Sequence, residues 1–326
     1  MSKKLHNLVV KNPSFRKSLS LDKKTVKDRY EVVYKETFQT STPGENTHVI
    51  FHSRHLLKNK TVLDLGCGAG RLSLYASKYA KSVTGIDYID SAVDYAKNFA
   101  NLCNIKNVEF FTGDIDQFLE RKYDVILISE VLQHVNNPLK ILQRCKKLLN
   151  KNGWVIVSVP SFNNFRGTVW LTLQNLFKLP MSLTDAFQIS ADEMYVMTNK
   201  TGFNLVKTIG MSYDWAWAEW GIEDMKRRVY LATKDANLLH LADTRSTNKW
   251  LSSNLKFNKQ FMEYLIEKRI VKKRPRFSFL NIPKNTNKDI KRYLDDGNTD
   301  INEYYCDITP FNRMGALAIY FLKNND

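Results

Sequence analysis

Thr61-Val-Leu-Asp-Leu-Gly-Cys-Gly-Ala-Gly-Arg-Leu-Ser73 carries the pattern from which the fold follows. Its opening, Val62 to Leu65, is a short apolar run of the kind that makes a buried strand. Three glycines follow at alternate positions, Gly66, Gly68 and Gly70. Beyond them Leu72, Leu74, Tyr75 and Tyr79 recur at helical spacing. Strand, glycine turn and helix in this order open a doubly wound α/β domain, with the turn at the carboxyl edge of the sheet where ligands bind. Glycines suit that place because the chain turns sharply there and lets a ligand lie against its backbone.

Outward from this stretch, strands and helices alternate. The expected strands are 61–65, 81–87, 107–111, 123–128 and 154–159, with helices at about 70–80, 90–103 and 138–149 between them. Pro138 is placed to open the last of these helices and Asn152-Gly153 to end it. The fourth strand, Tyr123-Asp-Val-Ile-Leu-Ile128, is apolar almost throughout, as an interior parallel strand should be. Upstream, helices are expected at about 25–38 and 48–57. Downstream come an apolar helix at 165–179, a helix at 190–201, a strand at about 204–210 and a last strand at 315–322. These units predict a Rossmann-like doubly wound sheet of seven strands, the last one antiparallel, with a mostly helical insertion before the final strand. Three segments are expected: a basic helical extension at 1–45, a core domain of 46–212 plus 315–326, and an inserted substrate or partner subdomain at 213–314.

Three kinds of ligand use a glycine turn. A triphosphate P-loop needs Lys-Ser/Thr after the glycines, and here Gly70 is followed by Arg71-Leu72. A dinucleotide site needs GxGxxG. The spacing here is GxGxG, with an acid, Asp64, two residues before it. Val62 to Gly70 resembles motif I of the class I S-adenosylmethionine-dependent methyltransferases, and Glu130 to Pro138 resembles a segment of the ubiquinone-biosynthesis O-methyltransferase group, the nearest in pattern. The resemblance continues at Asp87, Gly113-Asp-Ile115 and Ser129-Glu-Val-Leu-Gln-His-Val135, each at the carboxyl end of a strand. It implies a methyltransferase that uses S-adenosylmethionine and releases S-adenosylhomocysteine. In that reading Asp87 accepts from the ribose hydroxyls, and Asp114 and the Ile115 amide meet the adenine. Asp87 follows Gly66 by 21 positions, the spacing expected of a ribose acid on the second strand. The full expected cofactor set is Asp64, Gly66, Cys67, Gly68, Gly70, Asp87, Tyr88, Asp114, Ile115, Ser129 and Glu130. Cys67 is expected to act through its backbone, its sulfur a small filler.

The acceptor side is less constrained, because a base is needed mainly where the nucleophile is a hydroxyl. His134 is the candidate base, with Glu130 beside it. At i and i+4, these two and Gln133 are expected to share a helix face. Some relatives hold a divalent metal with Glu-x-x-Glu-His. Gln133 stands in place of the second glutamate, so no metal is expected. Tyr30, Trp170, Trp215 and Trp217 are the candidate substrate residues, the last two at the entrance of the insertion. The 165–179 helix, with Trp170, Leu173, Leu176 and Phe177 on one face, suits an apolar substrate or a membrane surface.

Composition bounds the partners. The 49 basic and 33 acidic side chains leave a net charge of +16, which points to an anionic partner. That charge is concentrated: residues 1–40 hold ten Lys/Arg against four acids, and 221–310 hold eighteen against twelve. The basic run Glu267 to Phe277 suits phosphates. The four cysteines, Cys67, Cys103, Cys145 and Cys306, show no paired spacing, so neither disulfides nor a zinc site are expected. No signal-peptide run opens the sequence, and a cytoplasmic protein is expected. The leading expectation is methyl transfer to a small-molecule or glycan- or lipid-linked hydroxyl. The alternative is an RNA- or protein-modifying methyltransferase that uses the basic insertion, although Ser-Glu-Val-Leu after strand four is not the Asn/Asp-Pro-Pro-Tyr/Phe of amino-group methylation.

Overall fold

The structure is a computed structural model that describes residues 23–36, 45–114, 121–161, 189–213, 245–275, 279–295, 303–309 and 317–325, with the single residues Asn164, Gly167, Lys226 and Asn312. Two helices, α1 (Lys23–Glu36) and α2 (Glu45–Leu57), precede β1 (Thr61–Leu65). Then follow α3 (Arg71–Ser77), β2 (Ser82–Asp87), α4 (Asp90–Leu102), β3 (Val108–Thr112) and β4 (Tyr123–Ser129). A 3-10 turn (Leu132–His134) leads to α5 (Pro138–Leu148), β5 (Leu149–Pro160), α6 (Ala191–Thr201) and β6 (Asn204–Tyr213). The last described elements are α7 (Arg245–Glu267), β7 (Lys272–Lys273), α8 (Lys288–Leu294), β8 (Glu303–Cys306) and β9 (Leu317–Lys323).

The nine strands form one sheet in the order β3-β2-β1-β4-β5-β9-β6-β8-β7. From β3 to β5 every pairing is parallel, and β9 runs antiparallel to both β5 and β6. The seven expected strands are all present. The two additional ones, β7 and β8, come from the 213–314 stretch and extend the sheet beyond β6. One boundary differs from the sequence reading. Asn152-Gly153 does not end α5; the chain passes from Leu148 directly into β5, where Leu149 is already extended. Asn152, at φ 59°, turns the chain inside that strand, beside a register shift against β4.

Both faces of the sheet are covered, and β4 reads the two layers alternately. Val125 and Leu127 face a core built with Ile50 and Leu57 of α2, Leu74 and Tyr75 of α3, and Phe99 of α4. Ile126 and Ile128 face the opposite core, with Leu142, Cys145 and Leu148 of α5 and Met194 of α6. This is why Val125 to Ile128 of β4 are all apolar. At the head of α5, Pro138 takes the first turn, where its missing N–H costs nothing, and the Asn137 side chain accepts from Lys140 N at 3.0 Å.

Residues 279–294 close over α3. Tyr75 Oη donates to the Leu294 carbonyl at 2.7 Å, and Tyr75 stacks on Phe279 with ring centroids 4.7 Å apart. Arg71, only 4% exposed, donates to the Tyr293 carbonyl at 3.1 Å and lies over the Tyr293 ring. A buried charge needs such partners, since isolating it from water costs several kcal/mol. A second buried charge set joins the sheet extension to α2. Glu303 of β8 accepts from Arg274 Nε, and His48 Nε2 stands 3.4 Å from the same carboxylate oxygen. Burial pushes the Glu303 carboxyl up, but the His48 hydrogen bond and the His48 and Arg274 charges outweigh it and hold it below its usual range.

The sign of that shift fixes the pH dependence. A depressed carboxyl contributes stability above its unfolded-state value and loses it as pH falls through the folded value. Replacing Glu303 with Gln should therefore lower the unfolding free energy by about 3 kcal/mol at neutral pH. The gap should begin to narrow near pH 4, where the unfolded carboxyl takes up its proton, and close only once pH has fallen through the lower, folded value. Equal urea midpoints for both proteins at pH 7 would mean that this buried set does not hold the extension to α2.

Candidate active site

The glycine turn is held from the neighbouring strand. Gly66 N and Cys67 N donate to the Ile86 carbonyl at 2.8 and 3.0 Å. Gly68 N donates to Asp87 Oδ2 at 2.8 Å, and Ile89 N donates to Asp87 Oδ1 at 3.0 Å. Gly68 is at φ 51°, where an L side chain is strained, and a Cβ there would lie 2.5 Å from Tyr34 Oη. Gly66, at φ 73°, leaves no room for a Cβ beside the Val131 side chain. The turn is thus shaped by close approach from two directions, α1 above it and the loop after β4 beside it.

The acids differ in their surroundings. Asp64, 1% exposed, accepts from Ser73 Oγ at 2.5 Å and so ties β1 to α3. Burial, with the Asp87 charge added, pushes its carboxyl up to about 7 against the pull of the Ser73 hydrogen bonds. Burial likewise raises Asp87 to about 6, with the Gly68, Ile89 and Tyr88 backbone bonds pulling the other way. Gly113 N donates to the Asp87 carbonyl at 2.9 Å, which brings the end of β3, and with it Asp114, to the same edge. The Tyr88 phenol is pushed up by burial and by Tyr30, Asp87 and Asp114 around it. Burial pushes the Cys67 thiol well up, consistent with a filler and not a nucleophile.

The expected helix face over Glu130, Gln133 and His134 is not formed. Glu130 is left-handed at φ 57°, and only a 3-10 turn, Leu132–His134, follows it. A residue at positive φ cannot continue an α-helix, so the i, i+4 relation does not apply. Gln133 Nε2 instead reaches Glu130 Oε2 at 3.4 Å. Ser129 Oγ is bonded to Ser158 Oγ of β5 at 2.8 Å. His134 meets α1: Tyr30 Oη stands 3.2 Å from His134 Nε2, with the two rings edge-on at 5.9 Å.

Helix α1 therefore spans three loops of the cleft. Lys27 Nζ pairs with Asp90 Oδ2 at 2.7 Å, and Ser91 Oγ donates to Glu31 Oε2 at 2.7 Å. Tyr34 covers Gly68 and Tyr30 reaches His134. The sequence reading included Tyr30 and missed Tyr34; the two tyrosines' i, i+4 spacing was the available signal. Arg71 was also missed as a buried, partnered side chain. Ile115, Trp170, Trp215, Trp217 and most of the 165–179 helix lie outside the described residues.

This edge suits a nucleoside: Gly68 offers backbone with no side chain, and the Asp87 carboxylate, fixed by backbone N–H groups, is an acceptor of the kind a ribose hydroxyl needs. A protein-family model described as a methyltransferase domain matches residues 56–219. The chain belongs to that methyltransferase family. It is an S-adenosylmethionine-dependent enzyme. Among known proteins, a ubiquinone biosynthesis O-methyltransferase of Coxiella burnetii is 31% identical over 163 residues, 48% of this chain and 69% of that one. The mitochondrial ubiquinone biosynthesis O-methyltransferase of Schizosaccharomyces pombe is 27% identical over 180 residues, 53% of this chain and 66% of that one. Among solved structures, magnesium protoporphyrin IX methyltransferase from Synechocystis PCC 6803 with bound SAH aligns with a TM-score of 0.48 and 22% identity, over 58% of this chain and 93% of that one.

Removing the Asp87 carboxylate tests the donor site of this methyltransferase. Asp87→Ala should weaken S-adenosylhomocysteine binding by about 100-fold or more in calorimetry, the worth of two charge-assisted hydrogen bonds. Because the acid ionises only above about 6, wild-type affinity should fall as pH drops from 7 to 5. An affinity in Asp87→Ala within twofold of wild type would remove Asp87 from the site.

Proposed function

We propose that this methyltransferase acts on a hydroxyl of a small molecule, with His134 as the base. The observation that carries the proposal is the placement of His134. Its ring stands at the carboxyl edge of β4, on the loop that packs against Gly66, with one nitrogen engaged by Tyr30. The similarity to proteins named ubiquinone biosynthesis O-methyltransferases supports oxygen as the acceptor atom.

The donor, when bound, supplies a methyl group on a sulfonium, which is already a good leaving group. The protein's work is then alignment, exclusion of water and acceptance of one proton. In this reading Asp87 and Asp114 hold the nucleoside end of the donor, and Gly66 to Gly70 lie along it with their backbone. Tyr88, Ser129 and Glu130 line the same edge. Tyr30 and Tyr34 of α1 exclude water from above. His134 takes the hydroxyl proton as the oxygen turns nucleophilic. Trp170, Trp215 and Trp217, which lie outside the described residues, stand as the acceptor-side candidates from the sequence alone.

One observation favours a second reading, a phosphate-bearing macromolecular substrate. On α7 and just after it, Lys256, Lys259, Lys268, Arg269, Lys272 and Lys273 are all exposed. Trp250, Phe257 and Tyr264 stand out on the same helix at 41, 68 and 48% exposure. Cations interleaved with aromatic faces suit a single-stranded nucleic acid.

Turnover separates these readings. With methyl-labelled donor, a panel of phenols, alcohols, amines and total RNA should give label transfer to a phenol or alcohol. His134→Ala should lower that turnover by about 100-fold and leave donor affinity within twofold. Transfer to RNA alone would favour the second reading, and full turnover in His134→Ala would remove the base.

A further inference from the structure

Four contacts pin α1 across the cleft, and one of them falls on a ring nitrogen of the candidate base. A neutral imidazole carries one N–H and one lone pair, and the hydrogen bond made by one nitrogen decides what the other can do. Tyr30 Oη occupies Nε2 of His134 at 3.2 Å. A phenol oxygen can accept a hydrogen bond while keeping its own proton at neutral pH. If Nε2 holds the ring proton and donates it to Tyr30 Oη, Nδ1 keeps its lone pair and is the basic nitrogen. The bond also gains strength when the ring becomes positively charged, since charge-assisted hydrogen bonds are about twice as strong as neutral ones.

We propose that Tyr30 is a positioning residue for His134, and that α1 delivers it, so that the acceptor side is complete only while α1 lies across the glycine turn. This rests on His134 being the base. The step it serves is a proton transfer. The acceptor's hydroxyl proton passes to Nδ1, the oxygen's electron pair forms the bond to the methyl carbon, and the carbon–sulfur bonding pair stays on sulfur. Tyr30 takes no proton; it keeps Nε2 as a donor throughout. The other α1 contacts account for the delivery. Tyr34 seats on Gly68, where no other residue leaves room for its hydroxyl. Lys27–Asp90 and Glu31–Ser91 set the helix against the start of α4, one turn and less from Tyr30 along α1. Exposed as the Lys27–Asp90 pair is, it contributes little energy and serves register more than affinity. Tyr30 is thereby aimed at a loop 104 residues away in sequence.

The test reads the ring itself, without an acceptor. In the full chain saturated with S-adenosylhomocysteine, the His134 ring nitrogens should give the separated 15N shifts of a single tautomer, with Nε2 protonated. Tyr30→Phe keeps the aromatic ring and removes only the oxygen; its His134 shifts should move toward the average of a tautomer mixture. Tyr195→Phe, at an exposed tyrosine of α6, should keep the wild-type pattern. Identical His134 shifts in wild type and Tyr30→Phe would overturn the positioning role, as would a wild-type ring with Nδ1 protonated. The base reading fails by a different result, full turnover in His134→Ala, so the two failures are distinguishable.

Discussion

The hydrogen bond from Gly68 N–H to the Asp87 carboxylate is the constraint on which the site depends. It joins the turn after β1 to the end of β2, and it requires backbone where any other residue would bring a side chain. Two consequences follow from it. The turn keeps its left-handed glycines, and Tyr34 can close over it from α1. Burial raises the acid to about 6 against the pull of this same bond. A buried carboxylate held by two backbone N–H groups cannot swing away, so its remaining lone pairs point where the fold puts them.

Around that tie the enzyme is layered from fixed to variable. The parallel strands and the two cores beneath them are built from Ile, Leu and Val at close to zero exposure, and they set the positions of the acids. Above lie the added parts: α1 over the turn, residues 279–294 over α3, and the β7–β8 edge fastened to α2 through Arg274, Glu303 and His48. Residues 279–294 and β7–β8 come from the 213–314 stretch; they dock on α3 and α2 and lengthen the sheet.

Much of this was legible in the sequence because the signals are local. Apolar runs such as Val125–Ile128 declare buried strands, and alternate glycines after one of them declare the turn. Both were read within a few residues of where they fall. What escaped was non-local. β7 is two lysines, with no apolar pattern to betray a strand that exists only because β8 lies beside it. The Asn152-Gly153 pair reads as a helix stop, and here it bends a strand instead. The segment after β4 has helical spacing in its letters, but left-handed Glu130 breaks it, so His134 is placed by a 3-10 turn and not by a helix face. Tyr30 and Tyr34 look like the apolar face of any amphipathic helix; only the docking of α1 gives them their targets.

If the tie between Gly68 and Asp87 marks the donor site, a crystal structure of the full chain with S-adenosylhomocysteine should show both ribose hydroxyls within hydrogen-bonding distance of Asp87, the adenine beside Asp114, the amino-acid end over Gly66 to Gly70, and α1 in place above them. A ligand bound away from the β1 and β2 ends, or an Asp87 that makes no contact with it, would place the donor elsewhere.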